Sequence, residues 1–306
     1  MIRFLAKRLA ATIPVLLGVV TVVFFVLHLL PGDPAAIMLG FHVTEERVKV
    51  LREEMGLDDP LYVQYGRFIS KMIRGDLGRS MSKRRPVAQL IRDQLPATVS
   101  LAVAGLGCAL VLGILLGVLA ATHQGRWLDT GGMIAALLGV SVPSFWLGLI
   151  LILFFSVKLK LIPILGGGSG LVRLILPAIA LGLRSAAMIA RLVRSSLLEV
   201  LRQEYISTAR AKGLSERVVI YGHGLKNALI PVVTVVGLQF GRLLAGSVVI
   251  ENVFGREGIG SLLVHAIQVQ DIPVVQGVVL VTGLIYILVN VLVDMSYVVL
   301  DPRVRL

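Results

Sequence analysis

Apolar residues run together in six long blocks, at residues 9–30, 97–121, 131–157, 174–192, 228–250 and 272–297. Each is near the roughly 20 residues that a helix rising about 1.5 Å per residue needs to cross a hydrocarbon core. The pattern predicts an all-α, polytopic membrane protein with six transmembrane helices in one transmembrane domain spanning 1–306. Between the first two blocks, residues 31–96 read as a helical insertion. Thr44, Glu45 and Glu46 start one amphipathic helix there, with Val48, Leu51 and Met55 on a face and Gly56 at its end. Pro60 opens a second that carries Leu61, Tyr65, Phe68, Ile69, Met72 and Ile73 and stops at Gly75, and a third begins at Pro86. Faces of this kind need cover, so the insertion is expected to fold as a small cap.

Composition agrees: 56% of residues are hydrophobic and the mean hydropathy is +0.88, beyond what a soluble domain carries. The net charge of +12 does not indicate nucleic acid, because Lys and Arg are dispersed over loops and aromatics make up only 6%. Topology explains the charge. Six crossings leave both termini on one side, and the short segments of that side hold thirteen Lys and Arg against four on the other. The positive-inside rule places both ends and the 194–227 loop in the cytoplasm and the 31–96 insertion outside. The first block is longer than a signal-peptide core and reads as a retained span. Cys108 stands alone in an apolar run, which leaves no disulfide framework and no Cys-based metal site.

Residues 204–231, EYISTARAKGLSERVVIYGHGLKNALIP, form a charged stretch between apolar blocks. Leu198, Leu201, Tyr205 and Thr208 or Ala209 recur at helical spacing, and Gly213 stops that helix where a left-handed residue is cheap. Ser215 is placed to cap a second helix, with Glu216 beside the cap and Lys226 near the end, each of the sign that the helix dipole favours. A compact basic knuckle on the membrane surface is expected.

These residues carry a resemblance. The run 205–213, with Ala209 and Gly213 four apart and Pro231 following, resembles the EAA loop of permease subunits in ATP-binding-cassette (ABC) importers. LPGDP at 30–34, GDLGRS at 75–80, ARAKG at 209–213, and VD at 293–294 followed by DPRVR at 301–305 look most like the dipeptide, oligopeptide, nickel and glutathione branch. Ser207 and Thr208 stand where the general motif has Glu and Ala, and the closing Pro comes several residues late. The resemblance implies a type I importer permease forming half of a translocation pathway for short peptides, with glutathione, a nickel chelate or an oligosaccharide as alternative cargo. It implies that Glu204, Tyr205, Thr208, Ala209, Arg210, Ala211, Lys212, Gly213, Leu214 and Ser215 couple to an ATPase. The implied partners are a second homologous permease, two ABC ATPases, an extracytoplasmic binding protein and the lipid of a bacterial or archaeal inner membrane. ATP and Mg belong to the ATPases, and this chain is expected to bind no cofactor and no metal.

The residues themselves are consistent with a non-catalytic subunit: no GxxxxGK[ST], HExxH or Ser-His-Asp arrangement is present. A secondary transporter is the competing class, but no ladder of intramembrane acids suggests proton coupling. Polar residues inside spans are candidates for the pathway. Gln239, Arg242 and Gly246 share a face of the fifth span, followed by Glu251, and either line the pathway or fix packing. Arg184 either lines it or snorkels to the cytoplasmic surface. Ser141, Pro143 and Phe145 lie in SVPSFW, where the proline kinks the third span and frees backbone carbonyls. Asp294 is expected to anchor Arg303 and Arg305, and His28 to be a packed or wet histidine. Gly113 with Gly117 and Gly237 with Gly241 form GxxxG pairs suited to close helix packing inside the subunit or, as the alternative, to dimerisation, and GGGSG at 166–170 reads as a flexible connector.

Overall fold

The computed structural model describes residues 2–29, 35–36, 44–162 and 172–300. The motifs at 30–34, 166–170 and 301–305 and the side chains of His28, Met55 and Asp294 lie outside the described residues. In chain order the helices are α1 (Ile2–Leu29), α2 (Glu45–Met55), α3 (Leu61–Ile73), α4 (Val87–Thr122), α5 (Trp127–Ser141) and α6 (Ser144–Leu151). They continue with α7 (Val172–Val200), α8 (Glu204–Ala211), α9 (Leu225–Ala228), α10 (Ile230–Val253), α11 (Ile259–Gln268) and α12 (Ile272–Leu300). Wider π turns extend α6 over Ile152–Lys158 and precede α9 over Val218–Gly224. The all-α expectation holds among the described residues.

Among the described residues, four helices are long and apolar enough to cross a membrane: Val87–Thr122, Val172–Val200, Ile230–Val253 and Ile272–Val293. They match the second, fourth, fifth and sixth predicted spans. The third is two helices, α5 and α6, bent by 104° at residues 142–143. Pro143 has no amide to donate and drives Val142 out of the helical region, to φ −78° and ψ 126°. The first predicted span is helical throughout α1, with a described apolar stretch at Thr12–Phe25.

The chain divides into two compact units. Residues 1–97 and 257–288 make the first. Both expected helices are present, the second as Leu61–Ile73, ending two residues before Gly75, and Gly56 closes α2 at φ 65°. Thr44 begins α2 through its carbonyl, which accepts the Arg47 and Val48 amides at 3.0 and 3.3 Å, and not through a side-chain cap. The apolar face of α3 divides. Tyr65 and Phe68 pack on Phe24 with ring centroids 5.2 and 5.7 Å away, and the Tyr65 and Thr21 hydroxyls share a hydrogen bond of 2.6 Å. Leu61 and Ile73 stay exposed. The third helix starts at Val87, as Pro86 suggested, but does not stop before the second span: α4 is one helix of 36 residues running through Pro96.

The core of this unit joins Val87, Leu90 and Ile91 to Ile259, Leu262, Ala266, Val274 and Val278. Beside it the Asp271 carboxylate, 1% exposed, is held by the loop that ends the GDLGRS motif. It accepts the Ser80 and Ser82 hydroxyls at 2.5 and 2.8 Å and the Met81 and Ser82 amides at 3.1 and 3.0 Å. Burial pushes the Asp271 carboxyl up, but these hydrogen bonds to its charged form together outweigh burial and hold it below the ordinary value.

Residues 98–256 and 289–306 make the second unit, built on α7. Small residues line one side of α4 at every fourth position, Gly105, Ala109, Gly113 and Gly117. Opposite them on α7 lie Ala178, Gly182, Ala186 and Ala190. A Cβ added at Gly113 would lie 2.8 Å from the Ala186 carbonyl oxygen, and one at Gly117 2.7 Å from the Ala190 oxygen. The expected close packing within the subunit is therefore realised at the first GxxxG pair, and Gly237 of the second pair packs on Val293. Around the seam, Ile189, Val193, Leu197, Ala228 and Val232 are buried together. Val103, Val111, Leu115 and Leu119 face outward on the other side of α4, as a lipid-facing surface requires.

Candidate coupling knuckle and polar span face

α7 ends at Val200, and a turn over residues 201–203 separates it from α8, so the helical spacing read from Leu198 to Ala209 belongs to two helices. Gln203, with ψ 151°, stands at the start of α8. Ile206 and Ala209 point inward and close on Val219, with Leu201 packed against them. Glu204, Tyr205, Thr208, Arg210, Ala211, Lys212, Leu214 and Ser215 are exposed. Ala209, included among the coupling residues on resemblance, is 8% exposed and seats the helix. Gly213 ends α8 in the left-handed region at φ 79°, where its amide donates to the Arg210 carbonyl at 2.9 Å and the Leu214 amide to the Ala209 carbonyl at 3.4 Å.

Two contacts brace the knuckle. Arg210 Nε donates to Glu216 at 2.7 Å; the bond holds the Glu216 carboxyl below its ordinary value and raises the Arg210 guanidinium above its own. Asn227 Nδ2 donates to the Tyr205 hydroxyl at 2.8 Å. Ser215 begins the next turn through its carbonyl, which accepts the Val219 amide at 3.0 Å, and the second helix opens as the π turn Val218–Gly224 instead of an α-helix capped by a serine side chain. The outcome is a small domed surface bearing carboxylate, guanidinium, ammonium and phenol groups over its own apolar base.

The polar span residues separate into two sets. Gln239 is 3% exposed and donates to the Met188 sulfur at 2.7 Å, and Glu251 is fully buried and accepts the Thr98 hydroxyl at 2.6 Å. Both have partners inside the unit. Gly246 is half-buried against Leu181. Arg184, Arg242, Ser141, Pro143 and Phe145 are exposed on the chain surface. Arg242 stands midway along α10, about 17 Å from either end. An arginine turned to lipid at such a level costs about 2.5–3.5 kcal/mol even on the most lenient scale, which favours a polar neighbour for this face.

Several residues that build the site were not singled out from sequence. Asp129, 4% exposed in the first turn of α5, takes a two-pronged bond from Arg194 Nε and Nη2 at 2.5 and 2.7 Å and the Gly125 amide at 3.0 Å. Its only signal was a lone acid at the edge of an apolar run. Ile206 could have been found from its spacing to Ala209, whereas Thr98 and Asp271 show their roles only in three dimensions. No group of His, Cys, Asp and Glu suited to a metal occurs among the described residues.

Residues 113–306 match the family described as binding-protein-dependent transport system inner membrane component, and residues 1–102 match the N-terminal region of the same membrane components. A putative peptide transport system permease protein of Brucella abortus (strain 2308) is 46% identical over 312 residues, covering 100% of this chain and 99% of the relative. The glutathione transport system permease protein GsiC of Salmonella paratyphi A is 44% identical over 305 residues, with the same coverage. In fold, the chain is similar to the MetNI methionine ABC transporter in an inward-facing conformation, at TM-score 0.57 and 21% identity over 70% of this chain and 97% of that one. An amino acid ABC transporter with histidines gives 0.55 and 13% over 68% and 93%. With relatives matched from end to end and a surface knuckle where the EAA-like run falls, the chain belongs to the binding-protein-dependent inner membrane components, as a permease subunit of an ABC importer.

Proposed function

We propose that this subunit forms half of a pathway for short peptides and that a separate ATPase drives it through α8. The observation that carries the reading is the knuckle: a short helix seated by Ile206 and Ala209, stopped by a left-handed Gly213, with its charged side exposed. The full-length likeness to a relative named a peptide transport permease supports this cargo. The GsiC likeness keeps glutathione, itself a small peptide, as the alternative, ahead of a nickel chelate or an oligosaccharide. In this reading the chain crosses an inner membrane six times with both termini in the cytoplasm, pairs with a second permease, and receives solute from an extracytoplasmic binding protein. ATP and Mg are bound by the two ATPase partners. Their closure tilts α8 and alternates the pathway between outside and inside; driving such an equilibrium from 1:99 to 99:1 takes roughly 5.5 kcal/mol of differential affinity.

The test is Gly213→Val. Among the described residues no atom beyond the chain neighbours lies within 4 Å of a Cβ at Gly213, so the substitution acts by straining a φ of 79°. Membrane insertion should persist, while ATP hydrolysis by the assembled importer should no longer drive uptake; Gly213→Asn, which tolerates the left-handed region, should retain most of it. Normal uptake by the valine variant would refute the lever.

A further inference from the structure

Arg184 and Arg242 are far apart in sequence but lie beside each other in the second unit. Gln239 bonds to Met188, and Leu181 Cδ1 lies 3.2 Å from where a Cβ on Gly246 would be. Rising numbers on α7 thus meet falling numbers on α10, so the two helices are antiparallel. Arg184 falls midway between the contact residues 181 and 188, and Arg242 midway between 239 and 246, which puts the two within about 1.5 Å of the same level. Each is three residues past a contact position, hence turned about 60° from the line joining the helices. In an antiparallel pair, equal turns taken in sequence direction lead to the same side. Both arginines are exposed there, on helices whose axes packing sets about 8–10 Å apart.

Neither arginine has a carboxylate partner among the described residues of the unit. Asp129 is taken by Arg194, Glu216 by Arg210, and Glu251 by Thr98, while Glu199 lies fifteen residues beyond Arg184, about 22 Å along α7, and Glu204 beyond the end of that helix. Around Arg242 the exposed positions of α10 are Leu238, Ala245 and Val249, which offer no compensation for a guanidinium. Two positive charges at one level, on helix axes about 8–10 Å apart, can reach one bidentate anion from both sides. We propose that Arg184 and Arg242 form an anion site on the transport face that holds the carboxylate of the passing solute. The assignment rests on the pathway reading above and names the chemical group that the pathway selects.

Thiol labelling in membranes containing the assembled importer tests it without assuming the cargo. Ala245 is exposed one turn from Arg242, and Cys108 is the chain's single cysteine, so Ala245→Cys in a Cys108→Ala background places one reporter beside the pair. An anionic thiosulfonate should react faster than a cationic one of the same size, and the ratio of rates should fall at least tenfold in Arg184→Gln/Arg242→Gln and persist in Arg184→Lys/Arg242→Lys. No reaction with either reagent, meaning a face sealed by lipid or protein, would overturn the site. So would a ratio indifferent to the glutamine changes, the result expected if acids of a partner permease already neutralise the pair. Dialanine should slow the labelling and dialanine amide should not; equal protection by both would remove the carboxylate from the proposal. If neither protects while the charge-dependent ratio holds, the anion site stands and the peptide cargo falls.

Discussion

The small-residue seam between α4 and α7 makes a prediction whose sign changes within a single helix. Replacing glycine by alanine in a helix ordinarily stabilises by about 0.5–1 kcal/mol, because glycine loses more backbone freedom on folding. Gly107 is exposed and meets nothing within 4 Å of an added Cβ, so Gly107→Ala should show that gain. Gly113 and Gly117 face the seam. Their added methyls would lie 2.8 and 2.7 Å from backbone carbonyl oxygens of α7, with Ile189 Cγ2 and Val193 Cβ each also at 2.7 Å. Ordinary contact begins near 3.4 Å, so the helices must separate by more than half an ångström, and a backbone oxygen cannot turn aside as a side chain can. Overpacking of this kind costs about 1–3 kcal/mol. Gly113→Ala and Gly117→Ala should therefore each be less stable than wild type, and the pair should be non-additive because once the seam opens for one it is open for the other. Reversible unfolding in mixed micelles, followed by helical signal against denaturing detergent fraction, measures all four variants. Equal stabilities for the alanine variants at 107, 113 and 117 would show that the seam is not close-packed.

Two further sites give direct tests. Removing the Ser80 hydroxyl deprives the Asp271 carboxylate of a charge-assisted bond, a loss of about 1.5–3 kcal/mol. The folded carboxyl titrates below its ordinary 3.8, so its stabilisation is complete above that value and is lost as pH falls through the folded value; the melting-temperature difference between wild type and Asp271→Asn should be constant from pH 7 to about 5 and shrink below about 4. Arg194→Gln leaves Asp129 buried without its two-pronged partner. Breaking a fully buried pair costs about 3–5 kcal/mol; with Arg194 side chain 28% exposed, about 1–3 kcal/mol is expected, and Asp129→Asn/Arg194→Gln should recover part of it in the same unfolding assay.

The spans were legible because a bilayer leaves one solution for a long apolar run, and four of the predicted blocks are uninterrupted helices. Pro143 announced a break, but its size did not follow from the sequence: a proline fixes φ and biases its predecessor, and only packing decides whether the helix continues at a slight angle or turns by 104°. Pro86 and Pro96 show the same limit from the other side, since the first was read as a helix start and is one, while α4 runs through the second without stopping. In the knuckle, exposed charges and Gly213 were legible from local rules. The pairing of Thr98 with Glu251 was not, because a long-range contact leaves no periodic trace. Arg184 and Arg242 were each noticed as charges in apolar helices; their common level and side required the register of α7 against α10.

That register bears on how a push at the knuckle reaches the pathway. α7 is held along its length: by the seam to α4 from Ala178 to Ala190, by Gln239 to Met188 from α10, and by the Asp129 bond at Arg194 from α5. A helix so bound moves with its neighbours or not at all, since packed interfaces switch between arrangements instead of deforming smoothly. The weak point is the turn at residues 201–203, where helical bonding lapses before α8. Leu201 occupies that turn and packs against both the span core around Leu197 and the knuckle core of Ile206, Ala209 and Val219. On the opposite side Gly224 lets the returning chain approach Leu197 and Leu201, where an added Cβ would come within 3.3 and 3.2 Å of their methyls. The joint is thereby filled on its apolar side, so in the proposed mechanism a tilt of α8 is passed to α7 as a movement of the whole helix. Arg184 lies sixteen residues before Val200, the end of α7, about 24 Å along that helix, so in the proposed mechanism a small rotation at the ATPase contact becomes a displacement of ångströms at the level of the paired arginines.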